Sequence, residues 1–166
     1  MDALGAATNG SSYDVGSVIA FTYGASDVSG AIASATLDGS ISVVSGAGID
    51  VDVDMLAAGT HTIVVTAVDG AGNKTTVTLT LTIHATGNGM LAAINDGARR
   101  GLITAAEQAA LVSQMNGVIA ALPHGSSAAP RLRNFISMVQ SQAGISIDRA
   151  YAALLVNWAQ DLLATV

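Results

Sequence analysis

The chain contains no cysteine, a single lysine (Lys74), two prolines and only 4% aromatic residues among its 166 positions. Without cysteine there is no disulfide, no thiolate nucleophile and no cysteine metal cage, so the redox compartment cannot be read from thiols. Six basic residues against twelve acids give a net charge of -6. Such a balance sets up no basic field to attract phosphates, and it excludes nucleic acid as an expected partner. Mean hydropathy is high at +0.53, yet Gly, Asn, Asp or Ser breaks every apolar run well short of the roughly 18 residues that would span a bilayer. No membrane span is expected.

The chain does have a large apolar content, 51%, carried by Ala and Val rather than by rings. That is enough to fill a core and rules out a disordered chain. Charged residues make up only 11%, so Thr, Ser, Gly, Asn and Gln must cover most of the surface. The first ten residues have neither the basic n-region nor the apolar h-region of a secretory signal, a pattern that suits either a cytosolic protein or a mature fragment with an added methionine, and composition favours the fragment.

Charge and periodicity change together near Ala85-Thr86-Gly87-Asn88-Gly89. Before Gly87 eight acids face Lys74 alone, whereas from Gly87 onward four acids face five arginines. The small, polar 85–89 segment reads as a hinge between units 1–86 and 87–166. In the first half, from about residue 13, Val, Ile and Thr alternate over short runs between turn residues, predicting roughly seven strands and an all-β antiparallel sandwich. Asp38-Gly39 separates 32–37 from 40–44 and predicts a tight hairpin. In 75–83 Val77, Leu79, Leu81 and Ile83 alternate with threonines, so one face should pack and the other should meet water.

In the second half apolar residues recur every three or four positions. Thr104-Ala105-Ala106-Glu107 has capping-box spacing and should open a helix that carries Leu111, Met115, Val118, Ile119 and Leu122 as one stripe until Pro123 stops it. Leu132, Phe135, Ile136 and Val139 mark a third helix, closed at Gly144 by a left-handed cap. Ser146 is expected to cap a fourth helix, whose stripe is Ala150, Tyr151, Leu154, Leu155, Trp158 and Leu162. With a shorter helix at 90–98 this is an all-α four-helix bundle.

Two stretches resemble known families. Leu56-Ala57-Ala58-Gly59-Thr60-His61-Thr62, followed by Thr66-Ala67-Val68-Asp69-Gly70-Ala71-Gly72-Asn73, resembles the last strands of bacterial immunoglobulin-like domains, a likeness covering about residues 13–84. Leu102-Ile103-Thr104, Leu132-Arg133-Asn134-Phe135-Ile136-Ser137-Met138-Val139 and Gly144-Ile145-Ser146-Ile147 together resemble the FIMAH domain over about 89–165. Here the chain departs from the lysine-rich pattern expected of that family. The two resemblances imply an extracellular or cell-surface bacterial protein in which this region is a non-catalytic accessory. It would serve as spacer and attachment module for a glycan, a cell-wall polymer or a surface protein. A self-assembling subunit of a surface layer or filament, hence a homo-oligomer, is the alternative.

Several side chains invite a functional reading. Asp50, Asp52 and Asp54 form the sharpest acidic cluster and could hold calcium. An EF-hand fails, because Met55 and His61 stand where its glycine and glutamate belong. The interleaved Val51, Val53 and Met55 make the segment read as a strand with its aspartates in solvent, about 6.6 to 7 Å apart. No cofactor other than such an ion is expected. His61, His84 and His124 share no ligand spacing, and His61 looks structural. No Gly-x-Ser-x-Gly elbow occurs, and two carboxylates converging in a cleft are not expected on a small sandwich, so no enzyme is predicted. Tyr151 and Trp158 lie seven residues apart and could stack a sugar, but the same spacing suits a core. Arg131 and Arg133 could bind an anion or could face the acidic first half.

Overall fold

A computed structural model of the chain describes residues 9–166; Met1–Thr8, including the stretch read for a leader and Asp2, lie outside the described residues. Among these are seven strands, β1 (Ser11–Asp14), β2 (Val18–Ala20), β3 (Ala31–Leu37), β4 (Ile41–Val43), β5 (Gly48–Asp50), β6 (Gly59–Asp69) and β7 (Lys74–His84). Four α-helices follow, α1 (Gly87–Arg99), α2 (Ala105–Ala121), α3 (Ala128–Gln142) and α4 (Arg149–Leu163), with a 3-10 segment at Leu122–Ser127. Strands thus come first and helices second, as the change of period implied. The chain divides into two compact units. One holds the described residues up to Tyr13 with Val18–Asp50 and Gly59–Ile83; the other holds Asp14–Ser17, Val51–Ala58 and His84–Val166.

In the first unit a five-stranded sheet has the order β1-β7-β6-β3-β4, and β2 pairs with β5 in a second, two-stranded sheet. The β3/β4, β3/β6, β6/β7 and β2/β5 ladders are antiparallel. The bonds from Gly10 N–H to Thr80 O and from Val15 N–H to His84 O advance in the same sense along both strands, so β1 joins the edge in parallel. Alternation sorts the faces as expected. Ile63, Val65, Leu79, Leu81 and Ile83 are buried with Leu37 and Ala35 from β3, while Thr76, Thr78 and Thr80 are exposed. The Asp38-Gly39 hairpin forms with φ of 48° and 73°, the left-handed geometry that this dipeptide tolerates.

That turn anchors β6. Asp38 Oδ1 accepts the Thr62 N–H at 2.9 Å, and His61, 9% exposed, places Nδ1 2.6 Å from Asp38 Oδ2. Burial pulls the Asp38 carboxyl upward, but the hydrogen bonds from His61 and Thr62 and the attraction of His61 outweigh it and leave it below the ordinary value. At the other end of β6, Asp69 Oδ1 accepts the Ala71 and Asn73 N–H groups. The Asn73 side chain and backbone together hold the Asp69 carboxyl low as well.

In the second unit the helices begin and end for local reasons, three of which differ from the sequence reading. The 85–89 segment is the start of α1 rather than a hinge. Thr86 is its N-cap, and Gly87 and Gly89 are there because the backbone is crowded: a Cβ on Gly89 would lie 2.3 Å from Val15 O, and one on Gly87 2.7 Å from Ile119 Cγ1. Small residues here signal close packing. Second, α4 is capped by Asp148 and not by Ser146. The Asp148 side chain accepts the Ala150 and Tyr151 N–H groups, whereas the Ser146 hydroxyl is bonded to Gln142. Third, the Thr104 cap holds, with its hydroxyl oxygen 3.4 Å from Glu107 N, but the reciprocal half of the capping box is not made, since Glu107 Oε1 is buried without a partner. Gly144 takes the expected left-handed φ of 76°, but α3 already ends at Gln142 with an extended Ala143, and the Gly144 N–H donates to Ile147 O instead of back to the helix. Most of the predicted stripes are core, with Leu111, Met115, Val118, Leu132, Phe135, Val139, Tyr151, Leu155 and Trp158 all at 0% exposure, whereas Ala150 is exposed and Ile119, Leu122 and Ile136 are half-buried.

Two glycines in helix interiors give opposite expectations. A Cβ on Gly97 would lie 2.4 Å from Cε1 of Tyr151, a ring pinned by its hydroxyl bond to Ala93 O. Overpacking of about 1–3 kcal/mol should outweigh the roughly 1 kcal/mol gain in helix propensity, so Gly97→Ala lowers the urea midpoint. Gly117→Ala meets only the end of Arg131 at 3.1 Å, a flexible group, and should raise it. For acid, the carboxyls of Asp38 and Asp69 titrate lower in the fold than in the unfolded chain. Their contribution is complete above the unfolded value and is lost as pH falls through the folded one. Urea midpoints should therefore decline below about pH 4, and Asp38→Asn should flatten part of that decline. An unchanged acid limb would contradict the assignment.

Candidate functional site

The sequence candidates fall in the second unit, except His61 of β6 and Asp50, which ends β5 opposite Val18, both in the first. The 49–55 strand expected from alternation is not formed. β5 stops at Asp50 and residues 51–55 turn, with Met55 at φ 55°. The reason is competition for the backbone. Val51 N–H bonds to Ser17 O and Leu56 N–H to Val51 O, which closes the turn and seats Val51 and Leu56 at 0% and 2% exposure. Asp52 is consequently not in solvent; it is 3% exposed, and its Oδ1 accepts the Gly16 N–H at 3.1 Å. Asp54 is half-buried in the same turn.

Within this unit Asp96 of α1 brings a carboxylate oxygen within 4.8 Å of one from Asp52. Nothing in the local sequence links the two. Asp96 is paired in turn with Arg99 and Arg100, one helical turn on. Two carboxylates this close favour a cation between them, and the two guanidiniums supply positive charge to one of the pair. The calcium reading of the Asp50, Asp52 and Asp54 triplet thus meets a different local geometry, in which Asp52 faces a helix.

Tyr151 and Trp158 are core residues. Both are at 0% exposure, with ring centroids 6.0 Å apart in a T-shaped arrangement at 85°. The Tyr151 hydroxyl donates to Ala93 O at 2.7 Å and the Trp158 Nε1–H to Leu56 O at 3.0 Å. Their polar tips are used, and their faces are covered; a sugar-stacking platform is not available on these rings. Beside this, Asn157 Oδ1 accepts the Ala58 N–H at 2.7 Å and Asp161 Oδ2 the Ala85 N–H at 2.8 Å. One face of α4 therefore satisfies the backbone of Val51–Ala58 and of the chain entering α1. Sequence periodicity finds that Trp158 is buried but not which backbone amides and carbonyl this face bonds.

Arg131 and Arg133 are exposed on α3. On the adjoining surface Gln140, Ala143, Arg149, Ala152, Ala153 and Val156 line an open groove of about 350 Å³ between α3 and α4. In the sequence Arg149 carries no signal beyond its charge. His84 lies 3.9 Å from Asp161, and His61 is spent on Asp38; each histidine is met by a carboxylate whose other bonds go to the backbone.

No protein-family model matches the chain, and no curated protein sequence matches it. No helix among the described residues is long and apolar enough to cross a membrane.

Trp158 is the sole tryptophan and reports on this arrangement. Its emission should be blue-shifted and resist acrylamide in the native chain. Trp158→Phe leaves the Leu56 carbonyl without its donor and should cost about 1–3 kcal/mol in urea unfolding. Ready quenching of the native protein would place the ring at the surface.

Proposed function

We propose that the chain is a non-catalytic accessory region of a secreted or cell-surface bacterial protein, an immunoglobulin-like sandwich joined to a FIMAH-type helical bundle, acting as spacer and attachment module. One observation carries the reading. The side chains most capable of chemistry or ligand stacking, namely Trp158, Tyr151, His61 and Asp52, are buried and engaged in bonds that hold the fold. The strand order β1-β7-β6-β3-β4 beside β2-β5, with a parallel first strand, supports the sandwich. The antiparallel β6 and β7 ladder spans ten register pairs from Gly59↔Ile83 to Val68↔Lys74, and a long hydrogen-bonded ladder suits a spacer. The attachment partner belongs to a wall polymer, glycan or surface protein, reached outside the cell.

A second reading, self-assembly into a layer or filament, draws on the exposed pair Ile32 and Val68, which face each other across β3 and β6 at 79% and 38% exposure. Light scattering against concentration separates the two. A constant mass of 16.5 kDa is expected of the attachment module, and growth in mass favours assembly. The direct test is co-sedimentation of the purified chain with bacterial cells and with isolated cell walls, before and after protease stripping. Retention on the pellet without release of soluble wall fragments is expected; a chain that stays in the supernatant with every preparation overturns the proposal.

A further inference from the structure

The helical unit is not built from α1–α4 alone. Two short segments from among the strands complete it, Asp14–Ser17 leading from β1 to β2 and Val51–Ala58 leading from β5 to β6. Val15, Val51 and Leu56 are 1%, 0% and 2% exposed, so each segment adds apolar side chains to this unit's core. Inside the unit the two segments are tied to each other, since Gly16 N–H donates to Asp52 Oδ1 at 3.1 Å and Val51 N–H to Ser17 O at 3.1 Å. Gly89 of α1 sits against the Val15 carbonyl.

Val51–Ala58 is fastened to α4 as a strap. Trp158 Nε1–H donates to Leu56 O at 3.0 Å, and Asn157 Oδ1 accepts the Ala58 N–H at 2.7 Å. A strap that lifted would expose Val51 and Leu56 and leave the indole N–H in the core without an acceptor, and both changes are unfavourable. These bonds join residues 102 and 99 positions apart in the chain. Closing so long a loop costs entropy when the intervening chain is unfolded. Folded strands lower that cost by fixing the residue on either side of the strap, Asp50 opposite Val18 and Gly59 opposite Ile83. The dependence also runs the other way. The β2–β5 pair has three register pairs only, too few to stand alone, and the chain leaves it at Ser17 and at Val51, two residues that the helical unit holds.

We infer that Val51–Ala58 is a folding latch, through which the strand unit and the helical unit unfold as one cooperative body. When the strands open, the ends of the strap are released and α4 loses the partners of Asn157 and Trp158. When the helices open, the strap and Asp14–Ser17 lose their seat, and β2 and β5 lose the segments that anchor them. The change of period near Gly87 is then a change of secondary structure, and the chain has no independent module on either side of it.

Urea unfolding of the full chain tests the latch with one probe in each unit. Trp158 emission follows the helices, and the native amide NMR cross-peaks of Val65 and Leu81 follow the sheet. The two probes should share one midpoint. Ile63→Val, a small deletion at a β6 position of 0% exposure, should lower that midpoint by about 0.5 M for both probes. Phe135→Leu on α3, also at 0% exposure, should likewise move the sheet cross-peaks together with Trp158. Loosening the strap by Leu56→Ala with Asn157→Ala should split the transition, so that Trp158 unfolds at lower urea than the sheet and no longer responds to Ile63→Val. Loss of the helices in buffer beside an intact sheet is the same split, and Asn157→Ala alone repeats the measurement where the double variant does not fold. Two midpoints in the wild-type chain, or an Ile63→Val shift confined to the sheet cross-peaks, overturns the inference. Probes that still coincide in the strap variants overturn it as well, because the coupling would then run through other residues.

Discussion

The hydrogen bond from the Trp158 indole to the Leu56 carbonyl is the constraint around which the helical unit is organised. An indole N–H buried without an acceptor, or a carbonyl buried without a donor, costs about 1–3 kcal/mol, so the ring can enter the core only where such a partner waits. Leu56 supplies it because residues 51–55 turn instead of continuing β5. The turn in turn buries Val51 and Leu56 and brings Asp52 to the Gly16 amide. Ala58 and Asn157 add a second bond on the same helix face. A helical unit that borrows backbone from a loop among strands is thus held by polar groups at its core as much as by its apolar stripes.

Polar side chains hold both units together in the same way. Aspartates do most of the work: Asp38 fastens β6 to a hairpin, Asp69 shapes the β6–β7 turn, Asp148 caps α4 and Asp161 accepts the amide of Ala85. At Asp38 and Asp69 the accepted hydrogen bonds also favour the charged carboxylate. The surface left over is mostly hydroxyl and methyl, with Arg149 among the few charges that no carboxylate meets among the described residues.

The glycines show how the same letter can mislead or inform. At 38–39 and at 144 the sequence does forecast the backbone sign, because positive φ is a local demand that a turn places on the chain, though at 144 no bond runs back to the helix. At 87 and 89 the glycines looked like a flexible joint. They are instead the places where a helix approaches Ile119 and the Val15 carbonyl too closely for a Cβ. Close approach is set by residues far away in the chain, and composition alone does not distinguish it from flexibility.

Period and local stereochemistry were legible in the amino acids themselves. The alternation in β7, the stripes of α2, α3 and α4, the hairpin at Asp38 and the cap at Thr104 all depend on neighbours within one or two turns. The burial of Tyr151 and Trp158 was legible as spacing, though their acceptors were not. What tertiary structure decided was every relation between distant segments: the turn at 51–55 in place of a strand, Asp96 beside Asp52, the bonding of Leu56 to Trp158, and the groove that gives Arg149 a setting. Each of these trades a local preference against burial or a hydrogen bond offered from far along the chain, and that offer exists only once the chain has folded.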